Sequence, residues 1–431
     1  MTIPSDWLTA PWDVVVIGAG AAGLVAATRA AERGLKALLL EKNPHAGVKI
    51  LMSGGTRCNL TQNTDKRGIV QAFGDQGPFL HSALAALTPS DLVKMVEDEG
   101  VATKIEDTGK IFPVSDDARD IVAALVRRLN RSGATLVFRA PVTRLQRVAD
   151  AIDIETAQGI IRGRKVIVTT GGKSYPGCGT SGDGYNWLAD LGHTLAPLRP
   201  ALTPITTDAE WVRALQGVTL PDVLIRVAPA DKSVAGGPPT SGKRRKDNRG
   251  ERRSSLLFTH FGMSGPAALD VSREISGHPN PSSLCVVCDF CPDQNTEQVD
   301  EHLRRELAID GRRQSLGIIP PHLPKRIAET IFSLADLNPT TRCAELPKAG
   351  RLRLVEQLKQ TRIPVSGTMG FKKAEVTAGG VPLIEVDSHT MESKIVPNLY
   401  FAGEILDLDG PIGGYNFQAA FSTGILAGDS V

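Results

Sequence analysis

The chain has 431 residues, of which 41% are hydrophobic and 22% are charged, and its formal net charge is +2. These values match an average soluble globular protein and give the whole molecule no strong electrostatic preference for nucleic acid or membranes. The longest apolar stretch, which starts at Val14 and ends before Arg29, is too short to span a bilayer, and no signal peptide is recognisable. Six cysteines are too few for a disulfide scaffold, so we expect a protein of the reducing cytoplasm.

The N-terminal region predicts a strand–helix–strand unit. Residues 14–17 form a continuous apolar run, as in a parallel strand buried on both faces. Residues 21–33 are rich in alanine and leucine and predict a helix, which Gly34 ends. Residues 37–40 are a second apolar run, and together these elements make a βαβ unit.

The turn between the first strand and the helix has a glycine fingerprint. It comprises Gly18, Ala19, Gly20, Ala21, Ala22 and Gly23. Gly18 permits a sharp turn, Gly20 lets a pyrophosphate approach the backbone, and Gly23 lets helix and strand pack closely. The helix N-terminus offers N–H groups to phosphates, and Glu41 after the second strand is placed to accept ribose hydroxyls. The fingerprint predicts a dinucleotide site, and the alternative is a glycine turn within the core.

Glu41 also bears on which dinucleotide would bind. A carboxylate repels a 2′-phosphate, so the pattern favours FAD or NAD over NADP. The adjacent Lys42 weakens this preference slightly. FAD and NAD therefore both stay open at this point.

Three further glycine-rich stretches are candidate parts of the same site. In residues 49–61, Gly54 and Gly55 allow the backbone to lie close to a flat ring, and Arg57 and Asn59 supply donors. Residues 169–184 begin at the end of a predicted strand, and two glycines come directly after it. Residues 399–416 contain a predicted strand, followed by an acidic, glycine-rich loop that precedes a helix. N–H groups at that helix start would stabilise negative charge on a reduced isoalloxazine ring. An ordinary polar loop or turn is the alternative for each.

These stretches, in this order, resemble the two-dinucleotide-binding-domain flavoproteins, and more narrowly the HI0933-like (BaiN-like) family of FAD-dependent oxidoreductases. The resemblance is in IGAGAAGLVAA (17–27), SGGTRCNLT (53–61), TGGKSYPGCGTSGDGY (170–185), THFGMSGPAAL (259–269), VTAGGV (376–381) and FAGEILDLDGPIGGYNFQAAFSTG (401–424). The family loop usually has glycine where this chain has Thr56. If that position needs a positive φ, threonine is costly there.

The resemblance implies FAD bound non-covalently in an extended conformation. It places the ADP half against Gly18, Gly20, Gly23, Glu41 and Lys42, the adenine against the backbone of Val142, and the pyrophosphate between Gly171 and Gly172. It places the flavin half against Ser53, Arg57, Cys58, Asn59, Gly403, Glu404, Asp409, Gly413, Gly414, Tyr415 and Asn416. The predicted cofactor-binding set is completed by further residues of the same motifs, which are Ala21, Ala22, Lys49, Gly54, Gly55, Thr170 and Gly410.

The expected architecture is α/β. We expect a Rossmann-like FAD-binding domain, similar to that of glutathione reductase, formed by residues 1–197 and 363–431. Residues 198–362 are expected to form an inserted domain with a β-barrel and a helical part. Short strands with turns are predicted over 205–290, helices over 296–360, a strand over 394–401 and a helix over 417–427.

The expected function is hydride transfer from NADH or NADPH through FAD to an unsaturated small organic substrate. Bile-acid reduction is known within the family that the chain resembles. Only one fingerprint is visible, so the nicotinamide is expected to visit the flavin face transiently. Tyr175, His260 and Tyr415 are candidate proton donors, although His260 fits a hydrogen-bonded structural histidine better than a donor.

Two other segments suggest different partners. Residues 243–253 carry seven basic and two acidic residues, which would suit a flavoprotein that binds tRNA or other RNA, or a solvated hairpin tip. Cys285, Cys288 and Cys291 have iron–sulfur or zinc spacing but no fourth ligand at a matching distance, so we predict an apolar strand without metal. A redox-sensing flavoprotein with little turnover is a further alternative. The oligomeric state is left open.

Overall fold

The computed structural model describes residues 11–231 and 250–431, which fall into two compact units. The first unit extends to Pro200 and resumes at Phe371, and the second spans Ala201–Gly370. The strands are β1 (Trp12–Ile17), β2 (Ala37–Leu40), β3 (Thr61–Gln62), β4 (Thr103–Ile105), β5 (Lys110–Pro113), β6 (Thr135–Val137), β7 (Val142–Val148), β8 (Ala151–Thr156), β9 (Gly159–Val168), β10 (Ala196–Ala201), β11 (Ile205–Thr206), β12 (Thr219–Pro229), β13 (Glu251–Thr259), β14 (Gly262–Ser264), β15 (Leu284–Asp289), β16 (Thr361–Pro364), β17 (Gly367–Thr368), β18 (Val376–Gly380) and β19 (Leu399–Phe401).

The helices are α1 (Ala21–Glu32), α2 (Val48–Met52), α3 (Lys66–Ala72), α4 (His81–Ala86), α5 (Pro89–Glu97), α6 (Ala118–Ser132), α7 (Asp183–Asp190), α8 (Glu210–Ala214), α9 (Gly265–Ser276), α10 (Thr296–Ile309), α11 (Lys325–Leu334), α12 (Lys348–Gln360) and α13 (Tyr415–Ser430). Within the described ranges, none of them combines the length and the apolar character that crossing a membrane requires.

The first unit is built on a sheet with strand order β6-β2-β1-β9-β8-β7, and β19 also pairs with β9. The pairs β6–β2, β2–β1, β1–β9 and β9–β19 are parallel, whereas β7, β8 and β9 form an antiparallel meander. The apolar strands β1 and β2 are largely buried, as expected for parallel strands covered on both faces. This is the predicted Rossmann-like α/β fold. The carboxyl ends of β1, β2, β9 and β19 meet at one edge, where ligands bind in such sheets.

The long strand β9 belongs to both parts of this sheet. Its first half pairs with β8, and its second half lies between β1 and β19, with Ile167 opposite both Val16 and Tyr400. Residues 399–401 are thereby fixed one strand away from β1 despite their distance in sequence. A smaller sheet pairs β10 with β18, the strand that contains Thr377.

Helices α1 and α13 pack against each other through glycines. A Cβ on Gly424 would lie 2.5 Å from the carbonyl oxygen of Ala22, and one on Gly428 would lie 2.7 Å from that of Ala26. The side chain of Arg29 also pairs with Asp429 at 2.5 Å. Close backbone contact therefore fixes α13 relative to α1.

The second unit contains a sheet with order β16-β15-β12-β13-β14-β11-β17. Its two edge strands, β16 and β17, are separated by only Val365 and Ser366, so the sheet must curl until its edges approach. Helices α9 to α12 share a buried core with this sheet, which includes Phe258, Val286 and Phe332. These features agree with the predicted barrel and helical part.

Several predicted elements needed correction. The region 205–290 was predicted as strands and turns, but it contains the helices α8 and α9. The strand predicted over 394–401 is limited to residues 399–401, because Pro397 lacks an N–H and Asn398 has φ 68°. The stretch 49–61, for which a polar loop was the alternative, begins within the short α2.

Candidate functional site

The glycine fingerprint lies at the carboxyl end of β1 and is packed too tightly for side chains. Gly18 has φ 104°, and a Cβ there would lie 2.7 Å from the carbonyl oxygen of Thr169. A Cβ on Gly23 would overlap the carbonyl oxygen of Gly18. The Thr169 hydroxyl completes the turn by donating to the carbonyls of Ile17 and Gly18 at 2.9 and 2.8 Å. Helix α1 is therefore held directly against the end of β1.

The N-terminus of α1 is open at the position where a phosphate would lie. Gly20 is the N-cap residue and provides no side-chain cap, and no heavy atom lies within 4 Å of a Cβ built there. Gly20 thus leaves free space in front of N–H groups that have no partner within the helix. Nearby in the sheet, after β9, the hydroxyl of Thr170 is buried and has no hydrogen-bond partner within the described residues.

Glu41 follows β2 and is 7% exposed. Its two carboxylate oxygens accept the backbone N–H groups of Ala19 and Asn43, each at 2.7 Å. Each oxygen keeps a second lone pair, which is enough to accept ribose hydroxyls. The Ala140 N–H donates to the Glu41 carbonyl oxygen at 2.9 Å, so the segment leading to Val142 runs beside this carboxylate. Ala140, two residues before Val142, is thus held beside the backbone of Glu41.

Lys42, the next residue, points towards the loop before α7. Its ammonium group donates to the Ser181 hydroxyl at 2.6 Å and to the Asp183 carboxylate at 2.5 Å. The hydrogen bond to Lys42 helps to hold the pKa of Asp183 below its ordinary value, against the opposing effect of burial. Lys42 thus links the end of β2 to the segment that follows Gly171 and Gly172.

The loop after α2 is built from left-handed backbone conformations. Gly54, Gly55, Thr56 and Cys58 all have positive φ, and Thr56 has φ 70°. The residue that replaces the usual family glycine therefore adopts the conformation that is costly for threonine. The Ala118 N–H donates a hydrogen bond to the Thr56 carbonyl oxygen at 2.9 Å. The strain anticipated from the sequence is present in the structure.

Arg57 was predicted to supply donors along the flavin. Its guanidinium lies 4.1 Å from the Phe112 ring centroid and pairs with Glu106 at 2.7 Å. The hydrogen bond with Glu106 raises the pKa of Arg57 further. These contacts hold the guanidinium against β5 and the segment that follows β4.

Cys58 is buried beneath this loop's backbone, and Asn59 connects the loop to the start of α13. Cys58 is fully buried, and burial raises the pKa of its thiol to about 12. The Asn59 side chain, with its amide oriented to satisfy both neighbours, accepts the Gly414 N–H at 3.0 Å and donates to the Thr61 carbonyl at 3.1 Å. Ser53 ends α2, and its hydroxyl donates to the Ile50 carbonyl at 2.8 Å.

A polar network joins three of the predicted motifs. Lys49 pairs with the carboxylate of Glu404 and donates to the Ser174 hydroxyl at 2.6 Å. The Glu404 carboxylate also accepts the Ser174 hydroxyl and the Thr377 N–H, each at 2.7 Å. Gly172 has no room for a side chain beside Thr377. The network gathers β9, β18, β19 and α2 at the carboxyl edge of the sheet.

The loop before α13 is fixed by its own asparagine. The Asn416 side chain accepts the Gly410 N–H at 2.8 Å and donates to the Gly410 carbonyl at 2.9 Å. Gly413 and Gly414 have positive φ, and a Cβ on Gly414 would lie 2.6 Å from the Thr61 backbone. Asp409 is 5% exposed in this loop, and Gly403 lies over Ala22 of α1.

The three candidate proton donors are not equivalent. Tyr175 lies in the first unit, between Ser174 of the polar network and Phe371, and burial raises the pKa of its phenol, with a smaller contribution from Glu375. Tyr415 begins α13 beside Gly413. His260 lies in the second unit, exposed in the turn between β13 and β14, with its ring 5.0 Å from that of Phe261. Tyr175 and Tyr415 therefore belong to the unit that carries the fingerprint.

These residues fit FAD. The open N-terminus of α1 and the acid after β2 match the ADP half of a dinucleotide. The buried Thr170 hydroxyl supplies an unused polar group beside the fingerprint. The glycine-rich segments 53–59 and 410–416 meet through Asn59 and Gly414 and present backbone where a flat ring system would lie.

The family profile described as "HI0933-like protein Rossmann domain" matches residues 12–430. The chain belongs to this family. It is a family of FAD-dependent oxidoreductases, so this HI0933-like protein is a member of a flavoprotein oxidoreductase family, as the motifs indicated.

Full-length relatives of this HI0933-like protein include proteins with two different activities. "Ribosomal RNA dihydrouridine synthase" of Escherichia coli (strain K12) is 33% identical over 416 residues, which cover 96% of each chain. The protein of the same description from Haemophilus influenzae is 32% identical over 419 residues, covering 95% of this chain and 96% of the relative. "3-dehydro-bile acid delta(4,6)-reductase" of Clostridium scindens is 29% identical over 416 residues, covering 96% and 97%.

The basic segment 243–253 and the segment with three cysteines, residues 285–291, are the two that suggested other partners. Residues 243–249 of the basic segment lie outside the described residues, whereas Arg252 and Arg253 belong to β13 and pair with Asp270 and Asp222 at 2.8 and 2.6 Å. Cys285 and Cys288 are three residues apart on β15 and so face opposite sides of the sheet. Burial raises the pKa of both thiols.

Some residues of the site were not found from the sequence. The Thr377 hydroxyl accepts the N–H groups of Lys173 and Ser174, and the Thr377 N–H donates to the Glu404 carboxylate. The Tyr185 hydroxyl donates to the Glu404 carbonyl oxygen at 3.2 Å. Thr377 lies in the VTAGGV stretch and Tyr185 in the TGGKSYPGCGTSGDGY stretch, both already singled out, so polar residues within those motifs were the available signal.

Proposed function

We propose that this HI0933-like protein is an FAD-dependent reductase that saturates a carbon–carbon double bond conjugated to a carbonyl, and that its substrate is a uridine of ribosomal RNA. The observation that carries the proposal is the identity of 33% and 32% to two ribosomal RNA dihydrouridine synthases over nearly the whole chain. Uridine becomes dihydrouridine by gaining two hydrogens across the C5=C6 bond of its ring, which is conjugated to the C4 carbonyl.

The hydrogens come from two sources. NADH or NADPH gives up a hydride and becomes the oxidised nicotinamide, and a proton from an acidic side chain completes the saturated bond. When bound, FAD supplies hydride transfer between the nicotinamide and the conjugated double bond. We place the reaction in the cytoplasm, where reduced nicotinamides and ribosomal RNA are both found.

The chain's own residues bind the cofactor and move the proton. The N-terminus of α1 and Gly20 receive the pyrophosphate, and Glu41 binds the ribose. Lys49 and Glu404 lie on the flavin side of the site. Tyr175 is the proposed proton donor, because it directly follows Ser174 of the polar network and carries a half-buried phenol, which is protonated at neutral pH. Tyr415 and His260 are the next candidates.

The test combines flavin spectroscopy with analysis of RNA. The purified protein is expected to carry FAD, which NADH or NADPH bleaches under anaerobic conditions. Unmodified ribosomal RNA transcripts added next should reoxidise the flavin and yield dihydrouridine, detected by mass spectrometry of the digested RNA. If the flavin is not bleached by either nicotinamide, the proposed reaction is wrong.

Tyr175→Phe tests the proton donor separately from cofactor binding. We expect flavin reduction by the nicotinamide to proceed at the normal rate, and dihydrouridine formation to fall by about 100-fold or more. Tyr400→Phe is the matched control, because it removes a phenol from the buried strand β19 that the proposed reaction does not use. Equal turnover in Tyr175→Phe and the unsubstituted protein would transfer the role to Tyr415 or His260.

A second candidate is reduction of a small enone. The full-length relative from Clostridium scindens, a bile-acid reductase, favours it. A panel of enone-containing acceptors, read by flavin reoxidation, separates the two candidates. Rapid reoxidation by an enone together with unchanged uridine in every transcript would favour the small substrate, and slow reoxidation by all acceptors would favour a redox sensor.

A further inference from the structure

A group of lysines and aromatic residues lies at the surface beside the polar network of the first unit. We call Lys173, Tyr175, Phe371, Lys372 and Lys373 the lysine rim. The Tyr175 N–H donates to the Phe371 carbonyl at 3.0 Å, which joins the two segments that form the rim. The Lys173 ammonium lies 5.4 Å from the centroid of the Phe371 ring. All three lysines are exposed, and the two aromatic residues are half-buried.

The lysine rim is attached directly to the candidate site. The N–H groups of Lys173 and Ser174 both donate to the Thr377 hydroxyl, at 2.8 and 3.0 Å. The Ser174 hydroxyl donates to the Glu404 carboxylate at 2.7 Å, within the network that also contains Lys49. Lys173 and Tyr175 therefore directly flank Ser174, which belongs to the polar network.

The backbone of the rim is held in one conformation. Tyr175 has φ 51°, a left-handed conformation that is unfavourable for a tyrosine. It is maintained by hydrogen bonds on both sides, from its own N–H to Phe371 and from the Cys178 N–H to its carbonyl at 2.8 Å. Such strain is retained where the surroundings fix it, and it often accompanies a binding role.

The chemistry of the rim matches single-stranded RNA. Three exposed lysines and two half-buried aromatic residues lie in the two joined segments, with Glu375 as a neighbouring carboxylate, and the Lys173 ammonium lies near the Phe371 ring. Proteins bind single strands by combining cations, which contact phosphates, with aromatic rings, on which bases stack. The basic segment 243–253 lacks such aromatic residues.

We propose that the lysine rim binds the single-stranded RNA segment that flanks the uridine to be reduced. Lys372 and Lys373 contact phosphates of this segment, and Phe371 stacks on one of its bases, which presents the neighbouring uridine to the site. This inference rests on the proposed function, since it assumes that the substrate is ribosomal RNA.

The test is RNA binding by the holoenzyme as a function of salt. We expect the double variant Lys372→Gln, Lys373→Gln to bind a single-stranded ribosomal RNA fragment about tenfold more weakly at low salt. The slope of log affinity against log salt should fall by about 0.7 for each phosphate that the variant no longer neutralises. Phe371→Leu should weaken binding at least about fivefold with an unchanged slope, because stacking is not ionic.

A matched control removes the same charge elsewhere. Lys94 and Lys325 are exposed lysines, each paired with a carboxylate one helical turn away, at 2.7 and 3.7 Å. The double variant Lys94→Gln, Lys325→Gln should bind RNA like the unsubstituted protein. FAD content and thermal unfolding, measured for every variant, show whether weaker binding arises from the rim itself or from a loss of folding.

The outcomes separate this inference from the function on which it rests. If the unsubstituted protein reduces RNA but the rim variants bind as tightly as it does, the rim is not the RNA surface and the proposed function stands. If the rim variants bind RNA normally but raise the KM for NADPH, the lysines bind nicotinamide phosphates instead, which overturns the inference. If the unsubstituted protein neither binds nor reduces RNA, both proposals are wrong.

Discussion

At the scale of single residues, two glycines of the fingerprint have opposite surroundings. Gly23 lies against the Gly18 carbonyl, so any side chain there would collide with backbone, whereas a Cβ on Gly20 meets no atom within 4 Å. Gly23 therefore serves the packing of the protein itself. Gly20 leaves space that the protein does not use, as expected if a ligand does.

This contrast predicts different effects of the same substitution. Gly23→Ala should lower the free energy of unfolding by about 1–3 kcal/mol even without flavin, because the helix must move away from β1. Gly20→Ala should leave the unfolding of the flavin-free protein within about 1 kcal/mol, yet weaken FAD binding about tenfold or more. Urea unfolding and FAD titration measure the two effects. Unchanged FAD affinity in Gly20→Ala would contradict a pyrophosphate at this turn.

Cys58 predicts a specific instability at alkaline pH. Burial raises the pKa of its thiol from 9.0 to about 12, so the thiol ionises more readily in the unfolded chain than in the folded one. The stabilising effect is complete below pH 9 and is lost as pH rises towards 12, at about 1.4 kcal/mol per pH unit. Cys58→Ala should lose this part of the pH dependence. Urea unfolding of Cys58→Ala and of the unsubstituted protein between about pH 8 and about pH 11 tests the prediction. If the free energy of unfolding fell equally with pH in both proteins, the prediction would be refuted.

At the scale of elements, α1 and α13 control the geometry of the candidate site together. Both helices begin at it, α1 after Gly20 and α13 after Gly414, and their glycine contact fixes one relative to the other. A displacement of α13 would move the Gly414 N–H away from Asn59. Packing along the shared length of the two helices therefore determines the shape of the loop at residues 410–416.

Gly424→Ala is the corresponding prediction. Its Cβ would lie 2.5 Å from the Ala22 carbonyl oxygen and 2.8 Å from the Val25 side chain, so α13 must shift. We expect unfolding to become easier by about 1–3 kcal/mol, together with weaker FAD retention. Gly177→Ala is the control, since a Cβ there has no neighbour within 4 Å and the alanine should be neutral or slightly stabilising. Equal stability of both variants would refute the role of the glycine contact.

The elements also show what the sequence could and could not predict. The unit β1–α1–β2 was predictable because strand, turn and helix signals lie close together in the chain and reinforce one another. Helix α9 was missed because Gly265 and Pro266 indicate a turn, and the pairing of its apolar face with the barrel is a long-range property. The network of Lys49, Ser174 and Glu404 required knowledge of which strands are neighbours, which no local pattern contains. The roles of the individual site residues remain predictions.

At the scale of the whole molecule, the two units have separate cores. The second unit contains its own sheet, helices and buried cluster, which includes Ile225 and Leu354. A unit of this size with a continuous core is able to fold alone. The residues that fit FAD lie in the first unit, whereas the candidate proton donor His260 lies in the second.

Residues 201–370 expressed alone are therefore expected to unfold in a single cooperative transition that FAD does not shift. In the full chain, FAD at about 100 times its dissociation constant should stabilise the flavin-binding unit by about 2.7 kcal/mol. Calorimetry with and without FAD measures both. A non-cooperative transition of the isolated segment would show that its core depends on the rest of the chain.

The strand β9 carries β1 on one side and β19 on the other, and this has a consequence for the order in which the protein matures. A ribosome produces the fingerprint before it produces residues 399–416. The nascent polypeptide therefore holds only one part of the nucleotide site until residues 399–416 have been translated, and stable capture of the cofactor has to wait for them.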